Sequence, residues 1–170
     1  PVVIDPILQA TYLGGRGNDQ VNAIAIHPTT GEVYVAGQTT SYGDFPGTSG
    51  GAQEIFGSAF VARLSKDLTQ ILQSTYLAGN AKAIAIHPTT GEVYVAGETQ
   101  SKRFPKTSGG AQEYHRGGFF DAFVARLNSD LTQILQSTYL GGGEDDIANA
   151  IAIHPTTGEI YVAGWTTSPL

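Results

Sequence analysis

Three histidines and a few acids are the groups in this chain best suited to chemistry. His27, His87 and His154 each open the phrase His-Pro-Thr-Thr-Gly-Glu. Imidazole ligates zinc at about 2.0–2.1 Å, so a recurring histidine raises the question of a metal. Each copy holds the same place in a repeat, however, so the three would stand around one rim, too far apart to share an ion. A turn role fits better: the imidazole bonds local backbone ahead of Pro, and Thr-Thr-Gly completes the bend. The acids fall in two Gly-rich connections, Gly14-Gly15-Arg16-Gly17-Asn18-Asp19 and Gly141-Gly142-Gly143-Glu144-Asp145-Asp146. Asp19, Glu144, Asp145 and Asp146 are thus the candidate ligands for calcium, a hard cation that collects several oxygens. Neither stretch has EF-hand spacing, and the middle copy shrinks to Ala78-Gly79-Asn80. A solvated polar turn is the simpler account, and no other cofactor is expected.

A second group is suited to binding. Two long connections, 39–58 and 99–121, carry the variation between repeats, and connections beyond about 12–15 residues are uncommon unless they have a task. Tyr42, Tyr114, His115 and Arg116 lie in them, and Trp165 stands where the other copies have Gln38 and Glu98. Together they would make an aromatic-and-polar surface for a carbohydrate or a protein partner. The competing reading is that Phe45-Pro46 and Phe104-Pro105 pin these loops across neighbouring repeats. Catalysis finds little support and is only a distant alternative: there is no Gly-x-Ser-x-Gly elbow, His-Glu-x-x-His, phosphate loop or dinucleotide fingerprint. The chain is read as a non-enzyme.

Repeated short strands must position these groups. Ala-Ile-Ala-Ile precedes each His-Pro-Thr-Thr-Gly-Glu, and Val-Tyr-Val-Ala-Gly or Ile-Tyr-Val-Ala-Gly follows it. Leu-Thr-Gln-Ile-Leu-Gln-Ser-Thr-Tyr-Leu begins at Leu68 and Leu131, with a degenerate copy from Ile7, so Thr11, Thr75 and Thr138 correspond. A long period with several strand signals inside it marks repeated sheet modules. Within one module, Ala23–Ile26 and Glu32–Ala36 form a hairpin about a Pro/Gly turn. Ala59–Leu64 makes a third strand. The more polar Ile71–Leu77 makes a fourth, outermost one.

Composition agrees and excludes other classes. The chain has 170 residues, 41% hydrophobic and 14% charged, with 22 Gly, the profile of a turn-rich all-β domain rather than a disordered chain. The net charge of −6 and the lack of a dense basic cluster argue against nucleic acid. No apolar run approaches the roughly 20 residues of a membrane span. With no Cys and no Met there is neither a disulfide nor easily oxidised sulfur, which suits an extracellular or cell-surface setting. A chain starting at Pro1 reads as processed or excised.

Four short strands per module, the inner ones apolar on both faces, are what a β-propeller blade requires, since each blade is sandwiched between neighbours. Ser-Thr-Tyr-Leu-Gly-Gly, Ala-Ile-Ala-Ile, Gly-Glu-Val-Tyr-Val-Ala-Gly, Asp-Phe-Pro and Asp-Ala-Phe-Val-Ala-Arg-Leu resemble the SBBP β-propeller repeat family of secreted and surface microbial proteins. Val3-Ile4-Asp5-Pro6 is similar to the lead-in that precedes such repeats, and the resemblance covers essentially the whole chain. It implies a propeller fold and carries no catalytic residues over. His27, His87 and His154 depart from it, since the family has Asp in that turn.

Labelled A to D from the axis outward, the strands read D-ABCD-ABCD-AB: lead-in and strand D in 1–13, units in 14–77 and 78–140, and a half blade in 141–170. Val2–Ile4 would supply a short strand C. About three blades result, whereas propellers close with 4 to 8. Three outcomes follow: a six-bladed dimer in which Ile7–Leu13 of each copy joins the other's Ala150–Ala163 hairpin, an open head-to-tail filament, or a fragment of a larger propeller. The leading expectation is a self-assembling structural scaffold; the alternative is a lectin-like or protein-binding module.

Overall fold

The computed structural model describes residues 9–169; Pro1–Leu8 and Leu170 lie outside the described residues. Those described form ten strands and no helix: β1 (Asp19–Ile26), β2 (Val33–Thr39), β3 (Ala59–Leu64), β4 (Ile71–Leu77), β5 (Asn80–Ile86), β6 (Val93–Thr99), β7 (Asp121–Leu127), β8 (Ile134–Leu140), β9 (Asp146–Ile153) and β10 (Ile160–Thr166). All pairings are antiparallel, giving sheets β1-β2-β3-β4 and β5-β6-β7-β8 and the pair β9-β10. The chain is all-β, and the sheets are open.

β3 and β4 run over the residues their alternation predicts. The inner strands begin earlier than expected, at Asp19, Asn80 and Asp146, because a bulge lets polar residues join the ladder. Pairing slips at Asn22, Lys82 and Asn149, the extra residues opposite β2, β6 and β10. The glycine of each Val-Ala-Gly phrase meets this bulge. A Cβ on Gly37, Gly97 or Gly164 would lie 1.8, 1.9 or 1.8 Å from the carbonyl oxygen of Gln20, Asn80 or Ile147. Only glycine lets the two backbones come that close.

The expected strand over Ile7–Leu13 is not formed within the described residues of a single chain. Ile7 and Leu8, with Val2–Ile4, lie outside the described residues, and residues 9–13 form no strand. β4 and β8 are held by hydrogen bonds to β3 and β7, and among the described residues no strand lies beside 9–13 to do the same. Tyr12 is fully exposed, whereas its counterparts Tyr76 and Tyr139 are buried.

Alternation gives each inner hairpin two unlike faces. Ala23 and Ala25 share one face of β1 with Tyr34 and Ala36 of β2; Ile24 and Ile26 share the other with Val33 and Val35. The small face of one sheet receives the branched face of the next. Ala23, Ala25, Tyr34 and Ala36 pack in one core with Ile84, Ile86, Val93 and Val95. Ala83 and Ala96 pack in turn with Ile151 and Val162. Burial of a side chain such as Phe123 at such a junction contributes roughly 1.5–3 kcal/mol.

Candidate functional site

The turn histidines act on their own backbone. His27 Nδ1 accepts hydrogen bonds from the N–H groups of Thr29 and Thr30, both at 3.2 Å. His87 and His154 repeat the arrangement. The far edge of the ring abuts the next module: a Cβ on Gly91 would lie 2.7 Å from His27 Nε2, and one on Gly158 2.6 Å from His87 Nε2. Each histidine therefore shapes its own turn, and His27 and His87 also space theirs from the following one. Nearby, the Tyr34 hydroxyl donates to Ser129 O at 2.6 Å, linking the first sheet to the second. Burial pushes the Tyr34 phenol up to about 12. The Arg63 guanidinium, bonded at 2.8 and 2.9 Å, holds the Glu32 carboxyl below its usual range.

The acids named for calcium are bonded to loop groups. Asp19 accepts from Gly15 N at 2.9 Å, from Ser41 Oγ at 2.9 Å and from the Thr39 hydroxyl. Asp146 accepts from Gly142 N at 2.7 Å, and Asp145 from Phe119 N and Phe120 N at 2.5 and 3.1 Å. The backbone N–H of Glu144 donates to Ser168 Oγ at 3.0 Å. Among the described residues no three metal-binding side chains converge.

The two long loops do not project freely. Each folds back along the outer strand of its own sheet: Ser74 N donates to Gly47 O at 2.7 Å and Tyr76 N to Gln53 O at 2.9 Å, and the second copy repeats this with Ser137, Lys106, Tyr139 and Gln112. Phe45 stacks on Phe60 of its own sheet at 4.3 Å, and Phe104 lies 4.6 Å from Phe123. The Tyr76 hydroxyl ties the loop down, donating to Ser41 O and accepting from Gly43 N and Phe45 N. The pin between neighbouring modules is made by backbone: Ala52 N donates to Leu131 O at 2.9 Å.

The expected aromatic-and-polar surface is therefore dispersed. Tyr114 and Arg116 are exposed, but the His115 side chain is only 3% exposed, 3.4 Å from the buried Asp121 and edge-on to Tyr139. Tyr42 instead faces the gap between the first two sheets, alongside Phe56 and Phe120. Trp165 lies on the outward face of β10. Phe56 and Phe120 escape sequence reasoning because nothing local distinguishes them; the signal was the contraction to Ala78-Gly79-Asn80, which leaves the gap unfilled.

Both ends of the stack carry exposed apolar residues. On the first sheet the β1 part of the branched face is bare, with Ile24 66% and Ile26 65% exposed, while Val35 beside them is buried with Phe60 and Tyr76; on the second sheet Ile84 is buried. On the third, the small face is bare: Ala150, Ala152, Ala163 and Trp165 are exposed, and Tyr161 is 55% exposed where Tyr34 is buried. Among the described residues no strand pairs with the outer edge of β10, which lies beside a groove of about 450 Å³ lined by Tyr94, Val124, Leu140, Ile160 and Val162. In the complete sheets a third strand occupies that edge. No helix among the described residues is long and apolar enough to cross a membrane. Compared with known proteins, the chain matches no family model and none of the curated proteins.

Proposed function

We propose that this chain is a non-catalytic β-propeller scaffold, extracellular or at the cell surface, that assembles with further copies of itself through its two open ends. One observation carries the reading: the small-face-to-branched-face contact used twice inside the chain leaves one unused half at each end, Ala150, Ala152, Tyr161 and Ala163 on the last hairpin and Ile24 and Ile26 on the first. Such a contact is heterologous and generates a ring if its rotation closes and a filament if it does not. The free edge of β10 completes the interface. The segment Ile7–Leu13 of another copy, whose Tyr12 is bare, has the sequence of the outer strands and is the assigned donor to the Ala150–Ala163 hairpin.

Light scattering on the purified chain, with electron microscopy to separate ring from filament, tests this. A multiple of the chain mass is expected. Ile24→Asp with Ile26→Asp spoils one face, Ala152→Arg spoils the other, and each variant alone falls to lower mass. Mixing the two restores a one-to-one pair through the intact faces. A monomer at every concentration, or variants that leave the mass unchanged, overturns the proposal.

A further inference from the structure

The first two sheets meet closely along their inner strands but part at the strand ends opposite the histidine turns, leaving a cleft of about 860 Å³. Its origin is the short link. Between the second sheet and the third hairpin, Leu140 and Ile147 are joined by Gly141–Asp146, and this loop occupies the corresponding space. A Cβ on Gly117 or Gly118 would lie 2.4 Å from the Gly143 or Glu144 backbone, and Asp145 accepts from Phe119 N and Phe120 N. Between the first two sheets only Ala78 and Gly79 separate Leu77 from Asn80, so the matching stretch around Phe56 stays uncovered.

The lining has a definite chemistry. Three rings, Tyr42, Phe56 and Phe120, share it with Gln38, Asn80 and Glu98. Phe56 is 74% exposed and held at φ 59°, in the left-handed region that a bulky residue rarely adopts. An apolar ring kept in solvent by a strained backbone is the kind of cost that functional sites carry. Glu98 is buried, with Oε1 accepting from Asn80 Nδ2 at 3.2 Å and lying 3.3 Å from Lys82 Nζ. That pairing cancels the cleft's one carboxylate charge. What remains is uncharged overall: flat apolar faces alternating with amides, hydroxyls and a carboxylate oxygen, on a scale that suits a small ligand.

We propose that this inter-sheet cleft binds a neutral saccharide, whose apolar C–H faces lie on the Tyr42, Phe56 and Phe120 rings while its hydroxyls bond Gln38, Asn80 and Glu98. The site lies within one chain, so it does not depend on the assembly proposed above. The test is isothermal titration of the full chain with cellohexaose, maltohexaose, mannohexaose and chitotetraose, with a heparin oligosaccharide as the anionic comparison. At least one neutral oligosaccharide binds, and Phe56→Ala and Phe120→Ala each weaken it at least tenfold, while Tyr114→Ala, outside the cleft, leaves it unchanged. Inserting Gly-Gly-Glu-Asp between Ala78 and Gly79, to fill the gap as the Gly141–Asp146 loop does, abolishes binding with the circular dichroism spectrum retained. No binding by any neutral probe, preference for the anionic one, or affinity indifferent to Phe56→Ala overturns it.

Discussion

The junction between the first and second sheets and the junction between the second sheet and the third hairpin are written with nearly the same words, yet they differ in depth. At the first, Tyr34, Val61, Val93, Phe123 and Leu127 are all buried in one continuous core. At the second, the buried members are four alanines, with Val124, Leu140 and Val162 only partly covered. The cause is that the third sheet is only a hairpin: among the described residues no strand lies beyond β10 to complete the cover over Val124 and Leu140. Burial here belongs to a residue's neighbours in the stack and only secondarily to its own repeat.

That comparison can be pressed by paired substitutions, read by chemical denaturation. Phe123→Ala, in the deep junction, is expected to cost about 3–5 kcal/mol, while Val124→Ala, facing the shallow one, costs about 1 kcal/mol. Equal losses would show that the two junctions are equally well covered in solution. Gly97→Ala drives a methyl into the Asn80 carbonyl within a four-stranded sheet and is expected to cost about 1–3 kcal/mol. Gly164→Ala makes the same collision in a two-stranded pair whose free edge lets β10 shift, and costs less. Tyr34→Phe strands the Ser129 carbonyl and costs about 1–2 kcal/mol, whereas Tyr94→Phe, with no such partner among the described residues, is near neutral.

The same contrast reaches pH. Since burial favours the neutral Tyr34 phenol, its stabilisation is full below about pH 10, the ordinary range, and is lost as pH rises toward 12. Alkaline titration followed by tyrosine absorbance should find this group ionising with loss of the first junction. On the acid side the sign reverses. Glu32 is held below its usual value, so its contribution is present above the ordinary carboxylate range and is lost as pH falls through the lowered value. The smallest expected difference is between Glu32→Gln, which breaks a partly buried pair bonded at 2.8 Å, and Glu92→Gln, whose partner Arg126 lies 3.8 Å away. We expect about 1 kcal/mol against a few tenths, and a reversed order would overturn the ranking of the two junctions.

Much of the strand plan was legible. Ala59–Leu64 and Ile71–Leu77 announce themselves by β-branched and alternating residues between turn signals, and Ala-Ile-Ala-Ile carries the rule that joins one sheet to the next. The starts of the inner strands were not legible, because Asp19–Val21 enter the ladder through a bulge that only pairing with Thr39 and Gly37 reveals. Nor was the fate of the long loops. Phe45-Pro46 and Phe104-Pro105 suggest loops pinned across neighbouring repeats, but the backbone of the first loop pairs with Ser74 and Tyr76 of its own sheet, partners distant in sequence. His115 shows the same limit most sharply, since a His-Arg pair in a variable loop looks solvent-facing until Asp121 and Tyr139 close over it. The cleft was written as a deletion, and a deletion matters only through what the neighbouring sheets fail to touch.

The loops that lie back along β4 and β8 have an effect beyond holding themselves in place. An outer strand with a bare margin is a template for any other strand, and lateral addition there leads to sheets that widen without limit. Here that margin already has its hydrogen bonds, supplied from within the same module. Sideways growth is closed off along β4 and β8, while the ends of the stack stay bare. In the assembly proposed above, where its rotation does not close a ring, accretion has a single dimension and a direction, so concentrating the protein should lengthen particles rather than thicken them.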